Sequence, residues 1–86
     1  MKSYNVSLAN DSCVFDSRRE ISTAEEAANF AADRGSKYRV YVDAGDDENT
    51  ITATYYTGSD TFADDLGYDF VFMTRTQFAR YLAKVL

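Results

Sequence analysis

The chain reads as an α+β domain: an antiparallel sheet of about five strands with two main helices on one face, in the order ββαβββα. Three observations predict this. Residues 37–57 hold two runs of alternating apolar residues, Tyr38/Val40/Val42 and Ile51/Ala53/Tyr55, joined by an acidic turn at residues 43–49, which is the pattern of a β-hairpin. Two stretches carry helix-start signals, Ser22-Thr23-Ala24-Glu25-Glu26 and Thr74 with Gln77. Finally, 86 residues supply one hydrophobic core and not two, so residues 1–86 form a single domain.

Taken in order, Tyr4, Val6 and Leu8 alternate with Ser3, Asn5 and Ser7, the period of a half-buried strand. Ala9-Asn10-Asp11-Ser12 reads as a turn, and a second strand from residue 13 to about 19 completes an N-terminal hairpin. Cys13 is expected there as a small buried residue. In the first helix Ala24, Ala27, Ala28 and Ala31 make a smooth face with Phe30 at its border, and Gly35 is placed to end it in the left-handed conformation. Glu25 and Glu26 suit the positive end of the helix dipole and diverge too far around the helix to act as a catalytic pair.

After the hairpin, Ser59 is placed to cap a short helical turn with Phe62 and Leu66 inward and Gly67 closing it. Residues 68–73 are the most apolar run and read as a largely buried strand. In the last helix Phe78, Leu82 and Val85 form the core stripe with Ala79 and Leu86 beside it. Arg75, Arg80 and Lys84 lie off it.

Charge is unevenly spread. The net charge is −5, yet residues 40–74 hold eight carboxylates and no Lys or Arg, leaving the two ends together with nine bases and six acids. That sign opposes direct binding to nucleic acid or an anionic membrane, and a basic protein surface is the natural complement. The absence of His and the single Cys remove the usual zinc cages and histidine acid–base chemistry. No cofactor motif is present, and the turn at 43–49 lacks the alternating ligands of a calcium-binding loop. One cysteine and an N-terminus without an apolar run imply a reducing, cytoplasmic location. The expectation is a binding protein and not an enzyme.

The candidate partner-binding residues are Asp43, Asp46, Asp47 and Glu48 in the hairpin turn, and Asp60, Asp64 and Asp65 in the following loop, expected to form an acidic knob beside that turn. Tyr41 and Tyr56 join them, because the face carrying Arg39, Tyr41, Thr52, Thr54 and Tyr56 lies opposite the helices, and Tyr and Arg are frequent interface anchors.

Two resemblances bear on function. Gly67-Tyr68-Asp69-Phe70-Val71-Phe72 is similar to the RNA-contacting strand of RNA-recognition-motif domains, but Leu66 stands where a basic residue belongs and Asp69 where a small one does. In length, acidity and lack of catalytic residues the chain resembles the small phage-encoded inhibitors of host defence, anti-CRISPR proteins and antirestriction nucleic-acid mimics among them. That resemblance implies a stoichiometric inhibitor whose carboxylates occupy a basic groove meant for nucleic acid. An RNA-binding module and a small domain that self-associates through its Tyr-bearing face are the alternatives.

Overall fold

A computed structural model describes residues 3–45, 50–64 and 72–86. The elements are β1 (Tyr4–Ala9), β2 (Val14–Ile21), α1 (Ala24–Ala31), β3 (Tyr38–Asp43), β4 (Thr50–Tyr56), β5 (Thr61–Asp64), β6 (Phe72–Met73) and α2 (Arg75–Val85). The fold is α+β as expected, with one strand more: the sheet has the order β2-β1-β3-β4-β5-β6, every neighbouring pair antiparallel. Both helices pack on one face and against each other.

Strict alternation builds the sheet. Val6 and Leu8 of β1 stand opposite Val42 and Val40 of β3, which stand opposite Ile51 and Ala53 of β4. All six are buried under the helices. A second row, Tyr38, Tyr55, Phe62 and Met73, crosses β3 to β6 in direct register. Its rings touch in sequence: Tyr38 to Tyr55 at 5.3 Å between centroids, Tyr55 to Phe62 at 4.9 Å, and Phe62 stacked on Phe78 of α2 at 4.2 Å. Aromatic pairs of this kind add about 0.5–1.5 kcal/mol each beyond the area they bury.

That row explains why residues 61–64 form a strand and not the expected helical turn. Phe62 is fully buried between Tyr55 and Phe78, a position that only pairing with β4 supplies. The Ser59 hydroxyl caps no helix and lies 2.6 Å from Thr61 Oγ1 instead. Leu66, Gly67 and residues 68–71 of the expected last strand lie outside the described residues. Of its described end, Met73 is buried and Phe72 is 58% exposed.

Four further expectations change. Cys13 is exposed, because β2 begins one residue later and Asn10 Oδ1 accepts from the Ser12 and Cys13 amides to shape the preceding turn. The strand β2 reaches Ile21 and is bulged twice against β1, with Glu20 at φ +57° and its amide donating to Asn5 Oδ1. The bulges and its run of charges blunt this sheet edge. Helix α1 stops at Ala31 and not near Gly35, because the Tyr38 hydroxyl donates to the Ala31 carbonyl at 2.6 Å and accepts from the Arg34 amide. Val85 is 40% exposed, its place in the core taken by Leu86.

The helix starts follow the sequence. Of the two overlapping boxes, Thr23 is the cap of α1, its hydroxyl accepting from the Glu26 amide, while Thr74 and Gln77 form the full reciprocal box of α2. Leu82→Ala should cost about 2–5 kcal/mol, since a fully buried side chain leaves a cavity, while Val85→Ala should change stability by about 0.5 kcal/mol or less. Urea unfolding of the two variants checks the contrast.

Candidate interaction surface

The register fixes where each candidate residue lies. Antiparallel pairing puts Asp43 opposite Thr50 and Asn5, at the end of the sheet where β3 turns toward β4. Strand β5 runs back alongside β4, so Thr61 pairs with Tyr56 and Asp64 with Ala53. Asp64 thus stands level with the middle of β4, while Asp60 sits in the turn at the end away from Asp43. Asp60 is not beside the hairpin turn as expected: one strand of seven residues, roughly 20 Å, separates it from the Asp43 end. Asp46, Asp47, Glu48 and Asp65 lie outside the described residues.

Asp43 also works for the fold. Its Oδ1 accepts from the Asn5 side-chain amide and from the Gly45 backbone amide, each at 2.9 Å, which fixes the exit from β3. Gly45, at φ +83°, takes the left-handed turn that follows. Beside it a groove of about 370 Å³ runs along the helix-free face, lined by Asn5, Ser7, Ser17, Arg19, Asp43 and Thr50 among others.

Tyr41 and Tyr56 lie half-buried on that same face, at different ends. Tyr41 pairs with Thr52 two residues before Asp43. Tyr56 pairs with Thr61, with the Lys37 ammonium 5.3 Å from its ring centroid and the exposed Phe72 ring 5.9 Å away. Alternation thus strings Lys37, Arg39, Tyr41 and Asp43 along one line of the open face, basic at one end and acidic at the other. Hollows of about 670 and 360 Å³ flank Lys37 and Tyr56, the first floored by the Gly35-Ser36 and Gly58-Ser59 turns.

Asp60 has a different environment. The Tyr55 ring is completely buried and its hydroxyl must find an acceptor. It lies 2.5 Å from Asp60 Oδ1 and 3.0 Å from Asp33 Oδ1. Arg75 bridges the two carboxylates, through Nε to Asp60 at 3.1 Å and through its terminal nitrogen to Asp33. Both aspartates adopt left-handed backbone, Asp33 at φ +56° and Asp60 at φ +53°, a conformation Asp tolerates at modest cost. The hydrogen bond from Tyr55, then the Arg75 contacts, hold the Asp60 carboxyl below the usual carboxylate range. Burial and the two carboxylates push the Tyr55 phenol well above its ordinary value.

Sequence reasoning missed this node because its members lie far apart, Tyr55 being 22 residues from Asp33 and Arg75 being 42 from it. One signal was available. Arg75 occupies the first turn of α2, where a cation is unfavourable unless carboxylates surround it.

Among the described residues no group of three or more Cys, Asp and Glu side chains is arranged to hold a metal ion, and no helix is long and apolar enough to cross a membrane.

The node sets a pH dependence. Because the Asp60 carboxyl titrates below its unfolded value, the stability it contributes is complete above about pH 5 and is lost as pH falls through the ordinary range near 4 and below. The raised Tyr55 phenol contributes stability below about pH 10 that is lost as pH rises above it. Tyr55→Phe should cost about 1 kcal/mol at pH 7 and shrink both declines, so its urea midpoints at pH 3, 7 and 10.5 should lie closer together than the parent's. Parallel profiles for the two proteins would rule out this assignment.

No protein-family model, curated protein or solved structure matches the chain. The functional reading therefore rests on the surface itself.

Proposed function

We propose that the protein is a non-catalytic, stoichiometric inhibitor that presents the acidic hairpin end of its sheet to a Lys/Arg-rich groove of a nucleic-acid-binding host-defence complex. Anti-CRISPR and antirestriction mimics act in this way. The observation that carries the reading is the charge distribution: eight carboxylates without a base across residues 40–74, with Asp43 placed at the hairpin end of the sheet opposite Thr50. Carboxylates there would take the places of phosphates, accepting charge-assisted hydrogen bonds from Arg forks and Lys ammonium groups. Long-range attraction raises the encounter rate, and Tyr41, on the open face beside Asp43, supplies short-range contact that charge alone lacks. Asp60, held by Tyr55 and Arg75, contributes to the field more than to contact.

One observation favours a second reading. Phe72 and Tyr56 form a ring pair on the open face of an antiparallel sheet, the placement that RNA-binding domains use for base stacking. The net charge of −5 opposes it, and residues 67–71 of the similar segment lie outside the described residues.

The test uses purified RNA-guided effector complexes with labelled target DNA, and labelled single-stranded RNA as a control. The protein should bind neither nucleic acid directly and should release DNA from a susceptible complex, more weakly as salt rises. Asp46→Asn, Asp47→Asn and Glu48→Gln together should weaken that competition at least about tenfold, equivalent to about 1.4 kcal/mol, with unfolding unchanged within about 0.5 kcal/mol. A folded triple variant that competes as well as the parent at low salt would defeat the mimic mechanism. Direct binding to the RNA would favour the second reading.

A further inference from the structure

We propose that the helix-free face of the sheet is self-complementary and pairs face to face with a second copy of the chain. The observation is the line Lys37, Arg39, Tyr41, Asp43 on that face. Asp43 is placed there by its bond to the Asn5 side chain, and Lys37 by its position over the Tyr56 ring. A two-fold axis lying between two such sheets, crossing β3 at Val40, reverses the line. Lys37 of one copy then meets Asp43 of the other, and Arg39 meets Tyr41, each contact occurring twice as an isologous interface requires.

Neighbouring strands fit the same axis. With β4 in register, Tyr56 faces Thr50 of the second copy, and Thr54 faces Thr52. On this face Arg39, Thr50 and Phe72 are exposed, while Ala63, opposite Thr54, is buried. The alternative route to self-association, edge-to-edge pairing through β2, is blocked by its two bulges. The four strands β2, β1, β3 and β4, at about 4.8 Å spacing and about 20 Å length, give roughly 400 Å² per copy, the size of a weak interface. The dimer should therefore form at micromolar concentrations and above, and dissociate as salt rises.

This inference stands apart from the partner reading, although both use Tyr41 and Asp43, so that a second copy and a basic partner compete for the same strip. Its test uses the protein alone. Carbodiimide joins a lysine to a carboxylate only when the two are in contact. Within one chain Lys37 and Asp43 are six residues apart along an extended strand, about 20 Å, so a Lys37–Asp43 cross-link can form only between copies. Sedimentation velocity at low salt should show a monomer–dimer equilibrium, and peptide mass spectrometry should find that cross-link in the dimer band alone. Lys37→Glu, at an exposed position outside the core, should abolish the cross-link and weaken the dimer at least about tenfold, while thermal unfolding in high salt, where both proteins are monomeric, stays nearly unchanged. A monomer up to 500 μM, or a dimer cross-linked at other residues, would overturn the proposal.

Discussion

The Tyr55 hydroxyl is the constraint around which the rest of the molecule is arranged. Its ring sits in the middle of the aromatic row, touching Tyr38 on one side and Phe62 on the other, with no exposed surface. A buried phenol that found no acceptor would cost several kcal/mol, so two loops bend into left-handed backbone to bring Asp33 and Asp60 to it. Two carboxylates converging on one hydroxyl need a counter-charge. Arg75 supplies it from the start of α2, fastening the loop after α1, the β4–β5 turn and the last helix at a single point.

That node divides the acidic region. Asp60 belongs to the network that closes one end of the sheet, whereas Asp43 lies at the other, opposite Thr50. The same separation gives the open face its polarity, because Lys37 falls beside Tyr56 near the node and Asp43 falls beside Asn5 away from it. Fold and surface are thus linked through strand register. A shift of β4 by one residue against β3 would bury Thr52 and Thr54, expose Tyr55, and dissolve both the node and the charge line.

Much of this was legible from residue spacing. The alternation of Tyr38, Val40 and Val42 against Ile51, Ala53 and Tyr55 placed the central hairpin, and hydroxyl residues three positions before Glu or Gln placed both helix starts. Where local signals competed with distant contacts, the distant contacts won. Ser59 read as a helix cap, yet Phe62 is claimed by Tyr55 and Phe78 and pulls its segment into the sheet. Gly35 read as a helix end, yet the Tyr38 hydroxyl takes the Ala31 carbonyl and ends α1 earlier. In the candidate surface, Tyr41 and Tyr56 could be assigned to the open side from period alone, whereas Asp43, read as part of the turn, is the last residue of β3. That Asp60 lies at the far end from the hairpin turn could not, because it depends on β5 being a strand that runs back beside β4.

The central claim is that the hairpin end of the sheet, and not the Asp60 end, receives a basic partner. Titrating uniformly ¹⁵N-labelled protein with a short Arg/Lys-rich peptide at low salt tests it most directly, with amide shifts followed residue by residue. The account predicts perturbations concentrated at Tyr41, Asp43, Gly45 and Thr50 that fade as salt is added, with Asp33 and Asp60 little changed. Perturbations centred on Asp33 and Asp60, or none at any residue, would contradict it.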